Sequence, residues 1–206
     1  MYVPFFPLKL VAFPDEELNL HIFEPRYRQL IADIEIEGGV FGVCTFLDKI
    51  SGFGTLVRLD QVYKRYEDGR LDVKTVGIQP FRIKSFDNPS PGKEYAGGEI
   101  EFLPNDPTVD SFLNQEYIFY LKEMLFLLKY DVEVDPKSVN SYTFSHKIGL
   151  SLEEELELLK MVSEAERTRF LVNHFKRIIP AVKAAEQAKE KISQNGHFKH
   201  LDPLNF

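Results

Sequence analysis

The densest group of chemically capable side chains lies between His21 and Arg28, in the run His21-Ile22-Phe23-Glu24-Pro25-Arg26-Tyr27-Arg28. Two guanidiniums can give paired, planar hydrogen bonds to carboxylates or amides, and the Tyr27 and Phe23 rings offer stacking faces. On that chemistry His21, Phe23, Glu24, Arg26 and Tyr27 form a candidate peptide-binding set. The same residues support a plainer reading, in which Glu24 pairs with one arginine to lock a chain corner while Tyr27 packs inward. Polar clusters at corners more often orient backbone than hold ligands, so this second reading is the favoured one.

Other reactive types are scattered. Five histidines, His21, His146, His174, His197 and His200, make neither H-x-x-x-H nor H-E-x-x-H, so no metal site is expected. Ser145-His146-Lys147 contains the residues of a nucleophilic relay, but in a short helical piece rather than a sharp exposed turn, where a capping or solvated role is expected. Glu153 and Glu155 open a helix, where carboxylates complement the positive end of the dipole, and are expected to be a solvated face. A phosphate cradle is missing, because Pro91-Gly92-Lys93-Glu94 has neither the earlier glycine nor the hydroxyl of G-x-x-x-x-G-K-[ST]. No cofactor is expected.

The elements that must carry the corner can be read from periodicity. Leu18, Leu20 and Ile22 alternate with Glu17, Asn19 and His21, as in a strand with one wet face. Pro25 suits the first turn of a helix, Tyr27, Leu30, Ile31 and Ile34 recur at helical spacing, and Gly38-Gly39 ends the run. Val40 to Leu47 reads as a buried strand, and Gly52-Phe53-Gly54 as a turn before a strand from Thr55 to Tyr66. Asp68-Gly69 is a hairpin turn that offers mostly register. A strand from Leu71 to Phe86 follows, with Pro80 marking an edge or bulge, then a loop at Asn88 to Gly92 and a strand from Tyr95 to Leu103. Pro104-Asn105-Asp106-Pro107 is the expected boundary between residues 1–106 and 107–206. Beyond it, Leu113, Tyr117, Tyr120, Leu121, Met124 and Leu128 share one helical face. Capping boxes at Ser151 to Glu154 and Ser163 to Glu166 start two more helices, the last kinked at Pro180 and ending at Asn195-Gly196.

The ordered series FPLKLVAFPDEELNLHIFEPRYRQLI, Gly54-Thr-Leu, Asp68-Gly69-Arg70, the GIQPFRI segment from Gly77 to Ile83, and Asn195-Gly196-His197-Phe198 resembles the Lon protease N-terminal substrate-binding domain family. The resemblance covers nearly the whole chain. It implies an α+β fold, with an N-terminal PUA-like β-barrel holding one short helix and a C-terminal α-helical bundle. It also implies a non-catalytic module that recognises unfolded or extended protein segments for degradation or quality control, with a separate protease as a further partner. The Lon ATPase and Ser-Lys peptidase modules have no counterpart in these 206 residues.

Composition narrows the partners. A net charge of −7 disfavours nonspecific nucleic-acid binding, and residues 1–106 hold 17 Asp and Glu against 12 Lys and Arg. RNA binding, the alternative function suggested by PUA-like barrels elsewhere, would need the basic stretch of the last helix. No apolar run approaches a membrane span, the N-terminus lacks a secretory pattern, and Cys44 is the one cysteine, so a cytoplasmic protein is expected. Eighteen phenylalanines and nine tyrosines would make a peptide groove only if some were exposed side by side.

Overall fold

The computed structural model describes residues 1–196 as a mixed α+β chain with a six-stranded sheet and four helices. The strands are β1 Tyr2–Leu8, β2 Glu17–Ile22, β3 Val40–Phe46, β4 Ile50–Arg65, β5 Leu71–Ile83 and β6 Ala96–Phe102, and α1, Pro25–Glu37, falls between β2 and β3. The order across the sheet is β2-β5-β4-β3-β1-β6, and β6 meets β5 again over Phe81–Ile83. β1 and β3 run parallel, with α1 in the crossover, while the other pairs are antiparallel.

The alternation read in β2 is present: Glu17, Asn19 and His21 are exposed while Leu20 and Ile22 are buried. Tyr27, Leu30, Ile31 and Ile34 are buried on α1, in one apolar cluster with Phe6, Phe41, Val43, Val57 and Val73. Gly52-Phe53-Gly54 is not a turn, however. The reversal occurs at Leu47–Lys49, and β4 passes through the glycines while the Ser51 hydroxyl hydrogen-bonds to the Phe53 backbone. Pro80 sits where the outer edge of β5 has left β2, which pairs as far as Val76, and meets β6 from Phe81; a proline there costs no ladder bond to β2.

The chain forms two compact units, one of residues 1–107 with 142–164, the other of 108–141 with 165 onward. The single boundary expected at 106/107 therefore divides a chain that returns to its first unit. Packing and charge bring it back: Tyr142 stacks on Phe13 at 5.1 Å, and His146 reaches both Glu16 and Glu155. In this unit α3, Leu152–Lys160, starts with the capping box of Ser151 and Glu154.

In the second unit α2, Ser111–Leu127, and α4, Glu164–Gly196, pack in parallel. Tyr117 stacks on Phe175 at 6.2 Å, and the Glu116–Lys176 and Glu123–Lys183 pairs are seven residues apart on both helices. The buried face of α2 is Tyr117, Ile118, Leu121, Met124 and Leu125. Leu128, assigned to that face from spacing, is 36% exposed because α2 has ended at Leu127. Helix α4 continues through Pro180. His197 and His200 lie outside the described residues.

The loop before β2 crosses β5 closely. The Asp15 N–H donates to the Gly77 carbonyl at 3.0 Å and the Gly77 N–H to the Glu16 carbonyl at 2.9 Å. A Cβ on Gly77 would lie 2.0 Å from the Phe13 carbonyl oxygen, a backbone atom that cannot rotate away. Gly77→Ala should therefore cost about 2–3 kcal/mol, a fall of roughly 5–10 °C in Tm. Gly39→Ala, whose Cβ would meet only Ile34 at 3.4 Å, should stay within about 0.5 kcal/mol; thermal denaturation followed by circular dichroism compares the two.

Candidate functional site

The corner after β2 is formed as the residue types require. Ile22 goes into the core, so Phe23 points the other way and is 60% exposed. Glu24 takes the extended N-cap conformation and Pro25 begins α1. The Glu24 side chain does not cap the helix; its Oε2 lies 2.7 Å from Arg26 Nη2 and 2.9 Å from Nε. Arg26 in turn covers the Tyr27 ring, 4.6 Å from its centroid. Tyr27 is buried, its ring edge-on to Phe6 at 4.0 Å, and burial raises the phenol pKa. Tyr27 is therefore a core residue whose outer face Arg26 closes, and of the five candidates it alone is removed from contact with a ligand.

His21 and Phe23 stack at 6.2 Å, and the β4–β5 hairpin extends this surface. His21 Nδ1 lies 2.6 Å from Asp72 Oδ1, its neighbour in the β2–β5 register, and the Tyr66 hydroxyl donates to Asp72 Oδ2 at 2.7 Å. Hydrogen bonds from His21 and Tyr66 hold the Asp72 carboxyl below its ordinary pKa, so the carboxylate orienting both rings persists into mild acid. Tyr66 meets His21 edge-on at 5.8 Å, with Lys64 and Arg70 lying 4.3 and 4.9 Å from the centroid of its ring. The hairpin tip is fastened as well: Arg28 Nη1 donates to the Asp68 carbonyl at 3.0 Å, and Gly69 takes a φ of 85° that few other residues adopt. The hairpin thus supplies more than register. Tyr66 and Asp72 were the residues that sequence reasoning missed; they flank the Asp68-Gly69 turn, and it is the β2–β5 register that brings Asp72 to His21.

The arrangement is an aromatic ledge, Phe23, His21 and Tyr66, bordered by cations and lying beside an edge strand. Among the described strands, β2 pairs with β5 alone. Such a surface can stack on apolar side chains and offer backbone groups to an extended chain.

The other chemical candidates are structural. Ser145 is 1% exposed, and Lys147 lies over the Phe144 ring. Both His146 ring nitrogens are engaged, Nδ1 with Glu155 at 2.7 Å and Nε2 with Glu16 at 3.1 Å, so the ring is not available as a base. Glu155, expected on a solvated face, is 8% exposed and is held there by His146. Among the described residues no group of three or more His, Cys, Asp or Glu is placed to hold a metal ion.

A family model described as the ATP-dependent protease La (LON) substrate-binding domain matches residues 2–177. The chain belongs to that family. Its fold is similar to a Lon N-terminal domain protein from Xanthomonas campestris, with a TM-score of 0.66 at 24% identity over 84% of this chain and 98% of that one. It is also similar to the N-terminal domain of Mycobacterium avium complex Lon protease, with a TM-score of 0.65 at 18% identity over 85% and 98%. These likenesses speak for the fold. The residues matched by the Lon substrate-binding model include the whole corner, the ledge and the Glu16–His146–Glu155 trio.

The trio makes stability depend on pH. Burial works against the charged imidazole, but hydrogen bonds to Glu155 and Glu16 outweigh it and push the His146 pKa up to about 10. The charged ring therefore contributes in full below its unfolded pKa of about 6.5, and the contribution is lost as pH rises from there through about 10. At pH 6.5, His146→Gln should lower Tm by about 2–8 °C, as the loss of about 1–2 kcal/mol does in a chain of this size. The gap should close toward pH 10. A gap that stays constant in melts across this range would place the role of His146 in packing against Phe13 instead.

Proposed function

We propose that this member of the Lon substrate-binding family recognises unfolded or extended protein segments without catalysing a reaction itself, and delivers them to a separate protease. The observation that carries this reading is the aromatic ledge fixed beside the edge of β2 that no described strand pairs. An extended segment adding along β2 would place alternate side chains over Phe23, His21 and Tyr66, with main-chain hydrogen bonds supplying affinity and the rings selecting apolar residues. We read the return of strand pairing from β6 to β5 as closure of a PUA-like barrel, which leaves β2 as the strand outside the ring. Ordering a flexible ligand opposes binding, so affinity per unit area should be low.

His21, Phe23, Glu24 and Arg26 remain the proposed contacts, joined by Tyr66. RNA binding gains no support from α4, where Lys176, Lys183 and Lys189 are paired with Glu116, Glu123 and Glu186, and Arg167 is buried against Ser141. Those cations already have protein partners instead of phosphates.

Titration calorimetry with a reduced, carboxymethylated model protein tests the reading. Phe23→Ala should weaken binding by at least about fivefold, in the range of a loss of 1 kcal/mol or more, while Tm changes by no more than a few degrees. Arg26→Ala should weaken it less. Tyr27→Ala should instead destabilise the protein by about 3 kcal/mol, as loss of a buried aromatic does. Undiminished binding by Phe23→Ala would move the site off the ledge, and no binding by the unaltered protein would end the proposal.

A further inference from the structure

At the end of α2 in the second unit, the side chains form a surface that the ledge does not use. Phe112, Phe119 and Phe126 are spaced by seven and are 79%, 62% and 80% exposed, so they line one outer face of the helix. Successive rings are about 10.5 Å apart along the axis. Phe126 stands between two clefts of about 450 and 380 Å³, and Tyr130 and Asp131 line both. An exposed aromatic row that runs into a pair of clefts is unlike scattered surface apolar residues, which need no partner.

The border of these clefts is acidic. Asp131, Glu133, Glu186 and Glu190 face two lysines, Lys122 and Lys129. Lys129 lies 3.6 Å from Glu186, whereas Asp131, Glu133 and Glu190 have no cationic partner among the described residues. Four lining carboxylates against two lining lysines leave the clefts net negative, which lowers the potential there and favours cations. A second copy of the chain meeting this face by two-fold symmetry would bring together two surfaces of the same negative sign, which argues against self-association.

We propose that this face is a second binding surface, and that its occupant is a separate cationic amphipathic helix, with apolar residues at heptad spacing and lysines or arginines along its flanks. One apolar side chain would enter each cleft beside Phe126 and another would rest on Phe119, a spacing that helix-in-groove recognition uses. The flanking cations would meet Asp131 and Glu133 on one side and Glu190 on the other. The surface shares no residue with the ledge, so the two readings fail independently.

The test is fluorescence anisotropy of the full chain with a labelled 18-residue helical peptide carrying leucine at heptad positions and lysine on the flanks. Its twin, with glutamate in place of lysine, is the control. The lysine peptide should bind at least about tenfold more tightly than its twin, a difference of 1.4 kcal/mol. Phe126→Ser should weaken it by about tenfold or more with Tm unchanged, since that ring is 80% exposed. Glu190→Lys combined with Glu133→Lys should abolish the preference, and Phe23→Ala should leave it intact. Equal binding of the two peptides, or undiminished binding by Phe126→Ser, would overturn the proposal. So would self-association in sedimentation velocity that Phe126→Ser dissolves, because the occupant would then be a second copy. Residues 197–206 include Phe198 and Lys199. If removing them strengthens peptide binding about tenfold, this segment is the occupant and the separate partner is excluded.

Discussion

The first unit depends on one close passage of backbone over backbone, where the Phe13 to Glu16 loop lies on Gly77. Two main-chain hydrogen bonds fasten the loop to β5, and a side chain at that position would occupy the space of the Phe13 carbonyl. Glu16 then acts in three directions. Its carbonyl accepts from Gly77, its Oε2 accepts from the Phe13 N–H at 2.9 Å, and its carboxylate holds His146. The strand β2 begins at the next residue, so the start of the edge strand and the return of residues 142–164 are set by the same few atoms. Tyr142 and His146 both rest on the Phe13 ring, which is itself buried. Glu155 is the buried member of this ion trio and would be costly to leave without His146, and the loop brings Glu16 to the other side of the same ring.

The parts of this arrangement that were legible in sequence are those where local pattern and burial agree. The alternation of β2, the helical spacing of Tyr27 to Ile34, and the serine and glutamate of the α3 capping box each involve neighbours within a few residues, so period and cap chemistry are enough. The fastening of 142–164 was not legible, because Tyr142 and His146 have no periodicity and their partner Phe13 is more than a hundred residues away. For the same reason Glu155 looked solvated: helix-start chemistry explains an exposed glutamate, and only the fold brings His146 to it. At the corner, sequence proposed both an open and a closed role for Tyr27, and burial assigns it to the core while leaving Phe23 outside.

Charge is used mostly for fastening. Asp33 receives hydrogen bonds from Lys93 and Tyr95, which hold its carboxyl below the ordinary range, while burial and Asp33 push the Tyr95 phenol up to about 12. This ties the loop after β5 to α1, as Arg28 ties the hairpin tip to the same helix. Cys44 is buried, and desolvation raises its thiol pKa, so it packs as a small apolar residue and not as a thiolate. Asp33, Tyr95 and Cys44 thus serve shape: two fasten the loop to α1 and the third fills the core.

The Arg28 tether has a consequence for motion. A long two-stranded ribbon such as β4–β5 ordinarily frays from its turn inward, and amide exchange would then be fastest at the tip. Here the tip is held to the first turns of α1, so the frayed state must also release a guanidinium from the Asp68 carbonyl. Opening of the ribbon and loosening of the strand-to-helix corner therefore become one cooperative event, and Tyr66 and Phe23 should gain or lose their order together.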